Sequence, residues 1–224
     1  IYNYNDYFDQ DRTRLAVANY FGLCSYLDDL IGKVIETIKT TGFRENSYIL
    51  YGSDHGENLG VRGLRGKSVM YEESVAVPMI IDGPDIPSGK RSQTPVSLVD
   101  VFATAMDVFD VSPSDYIVRP GRSLREIASA KTDDPARPIY SEYHASGSLT
   151  GHFMVRVGKW KYVTYPGYAP QLFDLEQDPL ENTDLGESAA HVDIRSECDA
   201  ALRKIVDVET INALAFSDQK ARVE

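Results

Sequence analysis

The sequence predicts an α/β fold: part of a mixed, largely parallel sheet flanked by helices, followed by a C-terminal α+β subdomain with a small antiparallel sheet. A helical hydrophobic period over residues 15–41 leads through Gly42 into an apolar run at 47–53, which makes an αβ unit. This run and a second one at 77–82 are almost continuously apolar, as in strands that a parallel sheet buries on both faces. Alternating runs within 153–165 predict antiparallel pairing further along the chain.

Spacing and capping signals place the remaining elements. The first helix carries an apolar stripe at three- and four-residue spacing: Leu23, Leu27, Leu30, Val34 and Ile38. Ser97 with Asp100, and Ser123 with Glu126, are capping patterns that predict a helix after each serine. The polar segment 132–138 is the predicted boundary between residues 1–135 and 136–224. The second unit is predicted to contain strands at 139–143 and 171–175, a hairpin around Gly158-Lys159, and helices at 188–206 and 210–223.

The composition argues against nucleic-acid and membrane partners. The net charge is −11, and the 23 basic residues form no cluster of the kind that binds phosphate backbones. No apolar run reaches the roughly 20 residues that a membrane span requires. The two cysteines, Cys24 and Cys198, both fall in helical patterns, so we expect buried thiols rather than a disulfide framework or a cysteine zinc site.

Asp54 and His55 form the first candidate site. They come directly after the run at 47–53, at the carboxyl end of a predicted strand, where open α/β sheets bind their ligands. A carboxylate and an imidazole at that point can share one metal ion. Gly52 and Gly56 flank the pair and give the backbone freedom to turn both side chains the same way.

Several short motifs then give the sequence a specific resemblance. The motifs are Ser53-Asp54-His55-Gly56-Glu57, Gly66-Lys67, Tyr71-Glu72-Glu73-Ser74, Val77-Pro78-Met79-Ile80-Ile81 and Pro95-Val96-Ser97-Leu98-Val99-Asp100. In order and spacing they resemble the carboxyl half of a sulfatase of the alkaline-phosphatase superfamily, from about residue 20 to beyond residue 185. Two later segments, 141–148 and 168–176, resemble the choline-sulfatase branch in particular.

The resemblance implies roles for three of these residues. Asp54 and His55 would complete a divalent metal site, with two further acidic ligands from the amino half of the enzyme. Many sulfatases have asparagine where this chain has His55. Oxygen donors suit calcium and imidazole suits transition ions, so calcium and manganese are both expected. Lys67 would contact the sulfate and act catalytically, because a positioned ammonium stabilises the charge that develops on the transferring group.

Other polar residues divide into substrate-binding candidates and surface candidates. Glu142 and His144 end a predicted strand beside a loop of small residues, and a carboxylate near aromatic rings can recognise a quaternary ammonium. We therefore expect them to bind the substrate, although a plain surface strand end is the alternative. Arg62 and Arg65 are expected to be surface residues, and Glu57 is either an orienting group or an exposed carboxylate.

The resemblance also implies parts that this sequence does not contain. Sulfatases use a formylglycine made from Cys or Ser within a Cys/Ser-x-Pro-x-Arg motif, and neither Cys24 nor Cys198 nor any serine has that context. We expect the chain to be the C-terminal portion of an enzyme that hydrolyses small sulfate monoesters, with choline sulfate as one candidate. We also expect the 224 residues to be inactive without the remaining N-terminal half.

Two other functions remain open from the residues alone. One is a phosphonate or phosphate monoester hydrolase of the same superfamily, in which an Asp-His pair also occurs. The other is a non-catalytic module that has kept the fold, which the absent nucleophile motif favours and the retained Asp54, His55 and Lys67 oppose. A cytoplasmic bacterial setting accompanies the choline-sulfatase resemblance as an expectation, and a homo-oligomer is possible.

Overall fold

The computed structural model describes residues 9–111, 121–145 and 148–222, and this part contains six α-helices and six β-strands. The helices are α1 (Gln10–Thr40), α2 (Glu72–Val75), α3 (Val99–Val108), α4 (Leu124–Ser129), α5 (Val192–Arg203) and α6 (Val208–Ala221). The strands are β1 (Ile49–Gly52), β2 (Met79–Asp82), β3 (Ile139–Tyr143), β4 (His152–Val157), β5 (Trp160–Thr164) and β6 (Gln171–Asp174). The predicted α/β class, with its small antiparallel C-terminal sheet, is confirmed.

The direction of the first two strands differs from the prediction. β1 and β2 pair with each other in antiparallel register, with Ile49 opposite Asp82 and Gly52 opposite Met79. The expectation of parallel strands at this place is therefore wrong for the pair. A continuous apolar run indicates that other elements pack on both faces of a strand. Strand direction depends instead on the connection between the two strands, which composition does not show.

The C-terminal sheet is a four-stranded antiparallel meander in the order β3-β4-β5-β6. Gly158 adopts a φ of +59° in the β4–β5 turn, a conformation that favours glycine, and the predicted hairpin is confirmed. One sheet face packs against α5 and α6 through a buried apolar cluster: Phe153, Val155, Tyr162, Leu172, Cys198, Leu202 and Val208. Burial raises the pKa of the Cys198 thiol to about 11, so this cysteine is the buried thiol that the sequence predicts.

The other sheet face packs against the N-terminal part of the chain. Met154 and Val163 on this face form a buried cluster with Met70, which directly precedes the segment leading into α2. Both faces of β5 are thus covered, and its three central residues are buried although the sequence alternates. This packing places the loop before α2 against the C-terminal sheet.

Helix α1 is longer and more exposed than the sequence indicates. It begins at Gln10 because Asp9 caps it, its carboxylate accepting a hydrogen bond from the Asp11 amide at 2.8 Å. The apolar stripe is confirmed as one helix, but most of it is exposed among the described residues: Leu23 is 66% exposed, and of the five stripe residues Ile38 is partly buried. Cys24 is exposed as well, so the expectation of a buried thiol there is wrong.

Within the described segments, no helix is both long and apolar enough to cross a bilayer.

A buried ion pair ties the predicted boundary segment to α3. Asp100 has no exposed surface, and the Arg137 guanidinium donates to both of its carboxylate oxygens at 2.7 and 2.8 Å. The same carboxylate accepts hydrogen bonds from the Ser97 and Arg122 amides, each at 2.8 Å. Burial works against the charged form, but these four donors outweigh it and lower the pKa of Asp100 below 3.8.

Replacement of Asp100 by asparagine should lower the free energy of unfolding by about 2 kcal/mol at neutral pH. A carboxyl with a lowered pKa contributes stability that is fully present above its unfolded pKa and is lost as the pH falls through the folded pKa. The difference between wild type and D100N should therefore shrink below about pH 4. Urea unfolding at several pH values measures it. The exposed Asp29→Asn change, as a control, should cost less than about 0.5 kcal/mol, and a pH-independent difference for D100N would contradict the account.

Candidate active site

Asp54 and His55 lie just past the end of β1 and face each other. The Asp54 Oδ2 atom is 3.4 Å from His55 Nε2, and the His55 amide donates to Asp54 Oδ1 at 3.0 Å. His55 Nδ1 lies 2.9 Å from the Gly56 carbonyl oxygen. Because a carbonyl only accepts, Nδ1 carries the hydrogen, which leaves the Nε2 lone pair beside the Asp54 carboxylate.

The geometry of this pair is compatible with two ligands on one ion. Metal–ligand bonds of about 2.1 Å place neighbouring ligand atoms roughly 3 to 3.5 Å apart, which brackets the observed 3.4 Å. Asp54 is largely exposed and His55 is partly exposed, so both can reach an ion from solvent. Among the described residues no group of three or more His, Cys, Asp or Glu side chains is placed to hold a metal ion.

Gly56 is required where the loop after His55 crosses α2. Its amide donates to the Ser74 carbonyl at 2.8 Å, and a Cβ atom at this position would lie 2.0 Å from the Glu73 carbonyl oxygen. No side chain can occupy that space without moving backbone atoms. The absence of a side chain, and not only conformational freedom, is what this position requires.

Replacement of Gly56 by alanine should displace His55 from its position beside Asp54. We expect the affinity for Mn²⁺ to fall about 10-fold or more, because the backbone shift moves one of the two candidate ligands. Isothermal titration of the full-length protein with Mn²⁺ measures the effect. Gly32→Ala in α1 is a control, since a Cβ at that exposed glycine meets no atom within 4 Å and its φ is not positive. Unchanged affinity in the Gly56 variant would contradict a role for this close approach.

The loop between His55 and Lys67 is held by internal hydrogen bonds. The Glu57 carboxylate accepts from the Gly66 amide at 2.7 Å and from the Leu59 amide at 3.1 Å. The buried Asn58 side chain also donates to the Gly66 carbonyl. Glu57 therefore orients the backbone immediately before Lys67, which decides between the two roles that the sequence left open.

One cavity collects most of the predicted site residues. It has a volume of about 650 Å³ and is lined by Asp54, His55, Lys67 and Glu142, together with aromatic residues of β3, Tyr140 and Tyr143. His144 does not line this cavity. The structure thus brings together residues that are 88 positions apart in the sequence, as counted from Asp54 to Glu142.

Glu142 is held by two neighbours at the edge of this cavity. Its Oε2 atom accepts a hydrogen bond from the Tyr140 hydroxyl at 2.5 Å and lies 3.2 Å from His144 Nε2. Burial and this hydrogen bond raise the pKa of Tyr140, so the phenol stays protonated and acts as donor. The His144 ring packs edge-to-face on Phe153, with centroids 5.0 Å apart. His144 is therefore placed to support Glu142 from behind rather than to reach into the cavity.

Arg62 is a packed residue and not the surface residue that the sequence suggests. Its guanidinium donates to Glu73 at 2.8 Å and to the Leu180 carbonyl, and it lies over the Tyr71 ring at 4.1 Å. Arg65 likewise donates to the Thr13 hydroxyl at 2.9 Å. These two arginines resemble solvated loop residues in the sequence, because two of their partners, Leu180 and Thr13, lie 118 and 52 positions away.

The sequence analysis missed a buried charge triad of Lys161, Glu72 and Glu181. Lys161 Nζ lies 2.9 Å from Glu72 Oε1 and 2.8 Å from Glu181 Oε1, and the side chains of Lys161 and Glu181 have no exposed surface. Burial raises the pKa of Glu181, against the opposing effect of Lys161. The sequence carries little indication of this burial, because a lysine at the inward position of an alternating strand looks like a solvated residue.

Known proteins resemble this chain in sequence and in structure. A family model described as Sulfatase matches residues 2–111, and one described as N-sulphoglucosamine sulphohydrolase, C-terminal, matches residues 60–207. Choline-sulfatase from Rhizobium meliloti (strain 1021) is 39% identical over 182 residues, which are 80% of this chain and 35% of that protein. Arylsulfatase K from Danio rerio is 31% identical over 217 residues, 94% of this chain and 41% of the relative.

Solved structures show the same relationship. The structure of BT4656 in complex with its substrate D-glucosamine-2-N,6-O-disulfate has a TM-score of 0.72 at 27% identity, covering 80% of this chain and 37% of that one. Phosphonate monoester hydrolase of Agrobacterium radiobacter has a TM-score of 0.72 at 23% identity, with 83% and 40% covered, a likeness of fold alone. The chain spans about two fifths of the length of these relatives. The family models match residues 2–111 and 60–207 and show that this chain belongs to the sulfatase family.

Proposed function

We propose that the chain is the C-terminal portion of a sulfatase that hydrolyses sulfate monoesters with S–O cleavage. One observation carries the proposal: Asp54, His55 and Lys67 line a single cavity although they come from separate parts of a long loop. Membership of the sulfatase family supports the reaction class. The formylglycine that sulfatases use would supply the nucleophile from the remaining N-terminal half.

Within the proposed site, Asp54 and His55 would hold part of a divalent metal site. The Nδ1 hydrogen bond to Gly56 leaves His55 Nε2 as the ligating nitrogen, and the Asp54 carboxylate supplies an oxygen beside it. A bound calcium or manganese ion would supply positive charge beside the sulfate oxygens. The chain's own contribution is to fix two donor atoms at a spacing that one ion can bridge.

Lys67 would bind and stabilise the sulfate group itself. It lines the same cavity as the metal pair, and its backbone carbonyl is fixed by the Ser74 hydroxyl. The negative charge of a transferring sulfuryl group spreads over its oxygens, and an ammonium held at one point lowers the energy of that state. A net charge of −11 repels anions at long range, so a local cation is needed here.

We further propose that the remaining N-terminal half packs against α1. Most of the apolar stripe on this helix is exposed among the described residues, and in a protein of more than twice this length the rest of the chain is available to cover it. The same half would supply the missing acidic ligands and the nucleophile. On this proposal the 224 residues alone bind substrate poorly and do not turn it over.

A bacterial cytoplasmic location stays a prediction from the choline-sulfatase resemblance.

A small cationic ester such as choline sulfate is our proposed substrate. Glu142, Tyr140 and Tyr143 line the same cavity, and the similarity to choline-sulfatase supports this choice. Aromatic faces with a carboxylate nearby can recognise quaternary ammonium groups. His144 would hold the Glu142 carboxylate in place through its Nε2 atom.

A phosphonate monoester hydrolase is the second candidate. The tetrahedral anions are nearly equal in size, and the Asp54–His55 pair suits either of them. Side-by-side kinetics of the full-length protein on aryl sulfate and aryl phosphonate esters would separate the two. A higher kcat/KM on the sulfate supports the first proposal, and a higher value on the phosphonate replaces it by the second.

The metal preference gives a test that does not depend on turnover. Replacement of His55 by asparagine exchanges an imidazole for an amide oxygen, which suits calcium better than a transition ion. In the full-length protein we expect the ratio of the Mn²⁺ to the Ca²⁺ affinity to fall about 10-fold or more. Competition titration with the two ions measures this ratio. An unchanged ratio would show that His55 is not a ligand.

A further inference from the structure

The proposed site is joined together by one residue of α2. The Ser74 carbonyl accepts the Gly56 amide hydrogen at 2.8 Å, directly after His55, and the Ser74 hydroxyl donates to the Lys67 carbonyl. Ser74 itself is 2% exposed. A rotation or shift of α2 therefore moves the His55 backbone and the Lys67 backbone relative to the rest of the cavity.

Helix α2 cannot fix its own orientation. It has only four residues, Glu72 to Val75, about one turn, and isolated helices of this length are unstable in water. Its first residue has no capping side chain on the preceding residue, Tyr71. Its position must therefore come from contacts made with other parts of the chain.

The buried charge triad supplies those contacts from the C-terminal subdomain. The Glu181 carboxylate accepts the backbone amide hydrogen of Glu72 at 2.6 Å, which satisfies a donor at the start of α2. Lys161 on β5 holds the Glu72 side chain and the Glu181 side chain at once. Both the backbone amide and the side chain of Glu72 are thus held. If α2 rotates or slides, at least one of these contacts with Glu181 or Lys161 must break.

We propose that Lys161 and Glu181 are positioning residues for the active site. Acting through Glu72 and Ser74, they set the placement of Lys67 relative to the Asp54–His55 pair. The C-terminal subdomain would then have a role in catalysis although these two residues touch no reacting atom. The expected loss of kcat rests on the proposed function, whereas the expected loosening of residues 53–75 does not.

The test compares Glu181→Gln with Lys159→Met in the full-length protein. The glutamine keeps an acceptor for the Glu72 amide but removes the charge that pairs with Lys161. Lys159 is a matched control from the neighbouring turn, because its ion pair with Asp174 at 2.7 Å does not touch α2. Glu72→Gln, at a partly exposed position, serves as a milder second variant should Glu181→Gln fail to fold.

Two readouts are needed. Hydrogen exchange followed by mass spectrometry should show faster exchange, by about 10-fold or more, in the peptides covering residues 53–75, with α5 unchanged. For para-nitrophenyl sulfate, kcat per folded molecule should fall about 10-fold, the usual effect of removing a supporting residue. The Lys159→Met variant should match wild type in both.

The outcomes separate the inference from the proposed function. Exchange that rises evenly along the whole chain, or not at all, in both triad variants would show a merely structural triad and overturn the inference. Faster exchange confined to residues 53–75 with unchanged kcat would overturn the catalytic part of it. If wild type cleaves no sulfate ester, the proposed function fails, while the exchange pattern still decides whether the triad positions the loop.

Discussion

Replacement of Lys67 by alanine should lower kcat for para-nitrophenyl sulfate hydrolysis by the full-length protein about 100-fold to 1,000-fold. The change removes the ammonium that stabilises charge developing on the sulfuryl oxygens. Lys67 occupies the cavity wall beside His55, and its backbone is fixed on both sides, through Gly66 by Glu57 and through its own carbonyl by Ser74. Because the group acts mainly in the transition state, KM should change much less than kcat.

Two features make this prediction specific. Lys67→Arg keeps the charge but changes its shape, and should recover only part of the activity. Lys90→Ala is a control, since that lysine lies at a different cavity and donates to the Ala130 carbonyl. Loss of activity through unfolding would appear as a lower urea midpoint. A Lys67→Ala enzyme that keeps more than about a tenth of the wild-type kcat would remove Lys67 from the catalytic role.

Replacement of Lys161 by methionine should lower the free energy of unfolding by about 4 kcal/mol at neutral pH. The methionine fills a similar volume but leaves Glu181 buried and without its partner. Removing one member of a buried ion pair costs more than the pair was worth, because the remaining charge is uncompensated. Chemical denaturation with urea measures the change.

The pH dependence of this variant follows from the raised pKa of Glu181. Burial raises that pKa, Lys161 opposes the rise, and the variant lacks the opposing charge. A carboxyl whose folded pKa lies above its unfolded value makes the protein less stable as the pH rises through that window. The destabilisation of Lys161→Met should therefore shrink as the pH is lowered toward about 4.5.

The exposed neighbour Lys159 provides the comparison. Lys159→Met breaks an ion pair with Asp174 that is partly open to solvent, and should cost less than about 1 kcal/mol. If Lys159→Met and Lys161→Met lower the free energy of unfolding by the same small amount, the buried charge triad contributes no more to stability than the Lys159–Asp174 ion pair. If the Lys161 variant is equally destabilised at every pH, the cost comes from packing and not from the unpaired carboxylate.

Local patterns in the sequence were enough to predict most helices and strands and to single out Asp54 and His55 as a candidate pair. Hydrophobic period, caps and turn residues predicted α1, the β4–β5 hairpin and α5 because those signals lie within a few positions of one another. Asp54 and His55 followed from a strand end. The place of Lys67 and Glu142 on the same cavity came through the family resemblance, since no local pattern links residues so far apart.

The features that could not be predicted from the sequence depend on residues that are far apart in the chain. Arg62 reaches Leu180, and Lys161 reaches Glu72, over separations of 118 and 89 positions. The antiparallel pairing of β1 with β2 depends on the return path of the chain and not on the composition of either strand. Cys24 sits in a helical pattern that indicates burial, yet among the described residues it is exposed.

The most direct test of the whole account is the steady-state hydrolysis of para-nitrophenyl sulfate by the full-length protein, first stripped of metal and then supplied with Ca²⁺ or Mn²⁺. The account predicts turnover that depends on added metal and is lost when Asp54, His55 or Lys67 is replaced by alanine. Turnover that survives all three replacements, or a wild-type protein that cleaves no sulfate ester with either metal, would contradict it.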